Sequence, residues 1–245
     1  MIFKDIYTLQ IKTKQKFEEN LARVLKAIQE SEEGAILLTP ELVFSGFCYQ
    51  KMEEANEFSK YATEQLLKAS AKHTIITTMI EKKRHKFYNN LKVFSRGELV
   101  HKQAKYELFL LGDEHLHFAP GSINEIIPFR IDSINCGALV CFELRFIELW
   151  SRLKGVDIIF IPAQWGKARK DHFETLCKAL AIANESFVVA SGSASLNMAK
   201  SSAIISPYGR VYKDDSLEVI HAKIDLAEVE KMRKYINIGL KECTR

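Results

Sequence analysis

The sequence predicts an α/β protein with mixed sheets packed in layers. Three observations carry this. Amphipathic helical stretches and strand-like runs are interspersed along the chain instead of segregating. Several of the runs are continuously apolar, the pattern of strands covered on both faces. Turn signals join some of them into hairpins.

The first helix is read from Phe17, Leu21, Val24, Leu25 and Ile28 at helical spacing, with Thr13 as a possible cap. An apolar strand follows over 35–38. A second helical stretch holds Phe58, Tyr61, Ala62, Leu66 and Ala69. Strands over 74–80 and 87–94 flank the basic cluster Lys82-Lys83-Arg84-His85-Lys86, which reads as a solvated hairpin tip. A strand over 134–140 leads into a helix that begins near Glu143 and carries Phe146, Leu149, Trp150 and Leu153, with Gly155 just past its end. A strand over 156–161 and a helix over about 171–184 come next. Strands over 187–190, 203–206 and 217–224 complete the series, with Pro207-Tyr208-Gly209 as a turn.

The chain has 245 residues, of which 47% are hydrophobic and 27% charged, so there is ample material for a core. Its composition is even and no linker or repeat interrupts it, which predicts one domain over 1–245. The formal net charge of +4 is too small to imply nucleic acid, and no apolar run approaches a membrane span. The N-terminus carries no secretory signal, so a cytoplasmic protein is expected. Five cysteines, Cys48, Cys136, Cys141, Cys177 and Cys243, are irregularly spaced without a Cys-x-x-Cys pair, which reads as free thiols.

Three segments carry candidate chemistry. In the first, the apolar strand over 35–38 ends in Thr39-Pro40-Glu41-Leu42-Val43-Phe44. A carboxylate among apolar side chains can act as a base near neutrality; the alternative is a strand-end Glu41 that faces water. In the second, Lys105 precedes the apolar stretch Leu108-Phe109-Leu110-Leu111, and Glu114 follows in a loop. A lysine here can donate to an oxyanion, or it can lay its stem on apolar surface. His115 and His117 beside Glu114 lack the usual metal-ligand spacing, so no metal is expected. In the third, Cys141 stands at a strand-to-helix junction, where open α/β sheets expose side chains to ligands. A helix N-terminus there would enrich the thiolate; otherwise Cys141 is a small buried hydrophobe. A redox pair with Cys136 is disfavoured, because an odd separation along a strand puts the two on opposite faces.

Taken together these segments resemble the nitrilase superfamily of carbon–nitrogen hydrolases. The matching pieces are Thr39-Pro40-Glu41, Lys105-Tyr106-Glu107-Leu108-Phe109, Glu114 ahead of Phe118-Ala119-Pro120-Gly121, and Val140-Cys141-Phe142-Glu143-Leu144-Arg145-Phe146. The loop 114–118 and the run Pro162-Ala163-Gln164-Trp165-Gly166 look most like the omega-amidase branch. The resemblance implies a four-layer αββα sandwich, a Glu41–Lys105–Cys141 triad without a metal or organic cofactor, and dimers or larger homo-oligomers. It implies a small amide as substrate, with a dicarboxylate monoamide such as 2-oxoglutaramate as the best match. An N-carbamoyl amino acid or amine is the alternative substrate, and a non-catalytic binding protein that kept the fold is the alternative function. Glu114 would orient the lysine or the substrate amide, and the backbone N–H of Phe142 would share the oxyanion with Lys105. Arg145, one helical turn past Cys141, can pair with a substrate carboxylate or with Glu148. Trp165 and Phe142 can line the pocket or serve the core. The chain departs from the family pattern at Glu143, usually Asp, and at Ile147, usually Pro. It also departs at Leu180-Ala181-Ile182-Ala183-Asn184, where Arg-Ala-x-Glu-Asn is common, and at Lys200, near an expected Gly.

Overall fold

The computed structural model describes residues 3–240; Met1, Ile2 and 241–245, with Cys243 among them, lie outside the described residues. Twelve strands and six α-helices are present among them. In chain order they are β1 (Phe3–Leu9), α1 (Phe17–Gln29), β2 (Ile36–Leu38), α2 (Met52–Ala69), β3 (Thr74–Lys83), β4 (Lys86–Ser95) and β5 (Glu98–Ala104). Next come α3 (Glu114–His117), β6 (Phe129–Ile131), β7 (Ile134–Ala138), α4 (Ile147–Arg152), β8 (Ile158–Ala163) and α5 (Lys170–Ala183). The series ends with β9 (Phe187–Gly192), β10 (Ala203–Ile205), β11 (Val211–Lys213), β12 (Val219–Asp225) and α6 (Ala227–Tyr235).

The strands form two six-stranded mixed sheets, ordered β12-β1-β2-β3-β4-β5 and β11-β10-β9-β8-β7-β6. Each has a parallel centre, β1-β2-β3 in one and β7-β8-β9 in the other, with antiparallel flanks. The pleat explains the continuous apolar runs. Ile36, Leu38 and Ile76 face the other sheet, in a cluster with Ile158, Phe160 and Val189. The alternate residues Leu37 and Ile75 face Val24 and Ile28 of α1 and Ala62 and Leu66 of α2. On the far side, Phe173, Cys177 and Leu180 of α5 close over the second sheet. The result is the expected order of layers, helix–sheet–sheet–helix. The Thr8 hydroxyl donates to Ala190 O at 2.7 Å and the Ser191 hydroxyl to Leu9 O at 2.6 Å, so buried polar groups on the facing sheets satisfy one another. Among the described residues no helix is long and apolar enough to cross a membrane.

Several expectations need correction. Thr13 does not cap α1: Lys16 holds that position without a side-chain bond, and the Thr13 hydroxyl is buried without a partner. The strand before Cys141 ends at Ala138, and a single 3₁₀ stretch, Cys141–Arg145, stands between it and α4. Glu114 opens the single turn α3 instead of lying in a loop. Strands β1, β5, β6 and β11 and helix α6 carry too few consecutive apolar residues to stand out in the sequence; β11 is exposed throughout.

Two departures from the family pattern find their reasons here. Lys200 has φ +58°, a left-handed conformation in which glycine is favoured. Its carbonyl oxygen lies so close to Gly192 that a Cβ there would come within 1.7 Å, so residue 192 must be glycine. In the 180–184 stretch, Leu180 fills the core and Asn184 holds the helix end by donating to Trp150 O at 2.8 Å.

Candidate active site

The carboxyl ends of β2, β5, β7 and β8 converge, and each delivers one part of the site. Beyond β2, the Thr39 hydroxyl bonds Thr77 Oγ1 at 2.7 Å and the Leu42 N–H donates to Thr78 Oγ1 at 2.6 Å. These bonds to β3 hold the intervening Pro40-Glu41 and turn Glu41 inward. Glu41 is fully buried, not facing water. Its carboxylate is not in apolar surroundings either. Oε1 accepts from Lys105 Nζ at 2.8 Å and Asn89 Nδ2 at 2.9 Å, and Oε2 accepts from the Gln164 N–H at 3.2 Å.

Lys105 leaves β5 with its N–H on Asn89 O at 2.8 Å, while its own carbonyl accepts from Gly121 N at 2.8 Å. Gly121 packs so closely that a Cβ would lie 2.3 Å from Ala104 O, which accounts for the glycine in Pro120-Gly121. The Lys105 ammonium is fully buried between Glu41 and Glu114 Oε1, each at 2.8 Å. Burial alone would lower its pKa, but Glu41, Cys141 and Glu114 outweigh that and raise it, so the ammonium stays charged. Burial raises the pKa of Glu114, with Lys105 opposing and Glu41 adding. Glu114 Oε2 and Asn89 Oδ1 are buried acceptors without a partner, which leaves them able to receive N–H groups from a bound molecule.

Cys141 follows β7 and is 7% exposed, with φ +51°. A left-handed cysteine costs roughly 1–2 kcal/mol, and such strain persists where surrounding bonds enforce it. Glu143 is one source of that enforcement. Its carboxylate accepts the Val140 N–H at 2.5 Å and the Tyr106 N–H at 2.6 Å, tying the Cys141 turn to the segment after Lys105. Burial pushes Glu143 up to about 7 despite those two donors. Gln103 adds a tie between the sheets, donating from Nε2 to Ala138 O at 3.2 Å. The Cys141 thiol is pushed well above the usual cysteine range, first by burial, then by the Glu41 carboxylate, with Lys105 partly opposing. This overturns the expected thiolate at a helix N-terminus. Five 3₁₀ residues sum few peptide dipoles, and two buried carboxylates outweigh them.

Cys141 opens into a small cleft, lined also by Phe109, Phe142, Arg145, Gln164, Trp165 and Arg169. Phe142 packs against Phe109 with ring centroids 5.1 Å apart. Trp165 is buried and donates from Nε1 to Arg169 O at 2.8 Å. Arg145 does not pair with Glu148. Its guanidinium lies over the Trp165 ring at 4.9 Å and donates to His172 Nδ1 at 3.1 Å. The structure therefore brings Glu41, Lys105, Glu114 and Cys141 into one cluster and puts Phe142, Arg145 and Trp165 in the adjoining cleft. Sequence reasoning missed Asn89, Glu143 as a tie, Arg169 and His172. Among the described residues no group of three or more His, Cys, Asp or Glu is placed to hold a metal ion.

The family model for carbon–nitrogen hydrolases matches residues 6–234. A 2-oxoglutaramate amidase of Bacillus subtilis is 32% identical over 224 residues, covering 86% of this chain and 85% of that protein. The omega-amidase YafV of Escherichia coli is 28% identical over 183 residues, covering 72% of this chain and 70% of its own. Among solved structures, Saccharomyces cerevisiae Nit3, a member of branch 10 of the nitrilase superfamily, superposes with a TM-score of 0.85 at 20% identity over 98% of this chain and 96% of Nit3.

Proposed function

The chain belongs to the carbon–nitrogen hydrolase family of the nitrilase superfamily, and from that premise we propose that it is a cysteine amidase that opens a small carboxamide through a thioester on Cys141. One observation carries this reading: the buried Lys105 ammonium bridges Glu41 and Glu114 beside Cys141.

In the first half-reaction Glu41 takes the Cys141 proton as sulfur attacks the amide carbonyl carbon. The raised thiol pKa suits a proton that moves only when substrate is present, because the free site then keeps a neutral sulfur between two carboxylates. The tetrahedral oxyanion is held by the Lys105 ammonium and the Phe142 N–H; one such donor is worth roughly a factor of 100 to 1000 in rate. The C–N bond then breaks, and the proton on Glu41 goes to the departing nitrogen, which leaves as ammonia. Water next attacks the thioester while Glu41 accepts its proton. Collapse releases the acid, and the proton returns from Glu41 to sulfur. General acid–base help of this kind is worth about 100- to 10,000-fold. Glu114 holds Lys105 and offers its unpartnered Oε2 to an N–H of the substrate amide.

The substrate proposed is a dicarboxylate monoamide such as 2-oxoglutaramate. The relative of that name supports this, and so does Arg145 in the cleft beside Cys141. The test is an ammonia-release screen over small amides, ureido acids and nitriles, with Cys141→Ala as control and mass spectrometry for an acyl adduct. Ammonia from monoamides of dicarboxylic acids, with a transient adduct on Cys141, is expected. Preference for ureido acids would move the substrate to the N-carbamoyl class. Folded protein that releases no ammonia and takes no adduct would leave a binding protein on this fold.

A further inference from the structure

Two guanidinium groups face the cleft at Cys141, and they come from different elements. Arg145 follows the nucleophile's own turn. Arg169 ends the 3₁₀ turn Lys167–Arg169, just before α5. The Arg169 guanidinium lies 5.3 Å from the Phe109 ring centroid. It also rests against Gly166, where a Cβ would come within 3.1 Å of Nη2, so the glycine leaves it room. Both arginines are half-buried. Among the described residues the two other half-buried arginines, Arg23 and Arg233, each reach a carboxylate, whereas neither Arg145 nor Arg169 has one; Arg84, Arg130 and Arg152, which also lack one, are exposed. Two cations without a carboxylate partner, converging on one cleft, attract an anion.

The number of donors defines that anion further. An ionised carboxylate offers about four lone-pair sites, and one guanidinium fork fills two. Arg145 spends part of its donor set on His172 Nδ1, which must accept because arginine cannot. Arg145 alone would leave a carboxylate under-satisfied in a cleft walled by Phe109, Phe142 and Trp165. Resting on the amidase reading above, we propose that Arg169 is a second specificity-determining residue, which with Arg145 clamps the substrate carboxylate remote from the scissile amide. The aromatic rings under each guanidinium hold the two forks in place without neutralising them.

The experiment pairs binding with turnover. Glutarate, a five-carbon diacid, is titrated calorimetrically into the wild type and into Arg169→Ala, Arg169→Gln and Arg169→Lys, each checked for a wild-type melting transition. Ammonia release is measured with glutaramate and with its neutral isostere pentanamide. Expected is a roughly 10- to 100-fold weaker glutarate affinity in Arg169→Ala and Arg169→Gln, a matching rise in KM for glutaramate, and an equal fall in selectivity for glutaramate over pentanamide. Arg169→Lys should recover part of the affinity, having the charge but not the fork. Unchanged glutarate affinity and selectivity in folded variants would overturn the clamp. So would a wild type that binds no glutarate, and Cys141-dependent hydrolysis of pentanamide would then leave the amidase reading standing. Arg169-dependent glutarate binding by a wild type that hydrolyses no amide would uphold the clamp and overturn the amidase reading instead.

Discussion

In the cluster at Cys141, Lys105 is fully buried and its two carboxylate partners each lie 2.8 Å away. In the adjoining cleft, Arg145 and Arg169 are half-exposed and meet aromatic faces and a histidine where carboxylates would ordinarily sit. The first region is electrostatically closed and the second is open. A closed cluster is assembled before anything binds, so its charges need not reorganise during a reaction. An open pair of cations lacks its counter-charge until a ligand supplies it. Within this family of carbon–nitrogen hydrolases, the contrast separates the part of the site suited to bond breaking from the part suited to choosing what is broken.

Breaking the closed region should have the largest effect. Lys105→Met keeps the stem and removes the ammonium, leaving Glu41 and Glu114 as unpaired buried carboxylates. Removing one partner of a buried ion pair costs about 3–5 kcal/mol, read as a drop in the urea midpoint. Amide turnover should fall at least about 100- to 1000-fold through the lost oxyanion donor alone. A variant of wild-type stability would mean that the two carboxylates share a proton and that the cluster is less charged than its geometry implies.

How legible each region is in the sequence follows from the same contrast. Glu41 and Cys141 each come three residues past the end of an apolar strand, and apolar strands announce their ends; Lys105 follows the polar β5 and stands out only by the apolar stretch after it. Asn89 donates to Glu41 from inside β4, next to Asn90, and alternation along one strand does not show which partner on another strand an inward amide meets. Glu143 reads as an ordinary first-turn acid; its bond to the Tyr106 N–H joins positions far apart in the chain. Arg169 lies in a short polar turn without apolar periodicity. In the fold, runs such as β3, β8 and β9 stand out because both faces are covered, while β5 and β11 are too polar to do so. The thiol pKa was the least legible property. A local dipole argument gives one direction, and burial, together with carboxylates from two other segments, gives the opposite one.

Glu41→Gln sharpens the comparison by changing a charge while keeping the shape. With the Glu41 charge gone, burial still raises the Cys141 thiol, but Lys105 now opposes it with one carboxylate fewer against it. The pH inflection for alkylation of Cys141 by iodoacetamide should therefore move down. Below the wild-type inflection more of the variant's sulfur is thiolate, yet amide turnover should fall about 100- to 10,000-fold because the proton shuttle is lost. An inflection that stays put or rises would show that the Glu41 charge does not act on the sulfur.

The smallest expected effect compares two strained residues. Cys141 and Lys200 are both left-handed, with φ +51° and +58°. The strain at Cys141 cannot be relieved without deleting the sulfur. Lys200 carries no such requirement: its ammonium donates to Asp215 O at 2.9 Å from an exposed position, a contact of little net worth. Lys200→Gly removes a steric penalty of roughly 1–2 kcal/mol and gives back part of it through the greater freedom of glycine in the unfolded chain. A net gain of about 0.5 kcal/mol should raise Tm by about 1–2 °C. Because Ala199, next in the chain, donates its N–H to Trp165 O at 2.7 Å, the substitution also tests whether the cleft wall depends on a strained turn. Raised Tm with unchanged glutarate affinity would show that the strain at Lys200 is incidental to recognition. Raised Tm with weakened affinity would show that the Lys200 conformation helps to set the open region, and that part of the strain belongs to recognition.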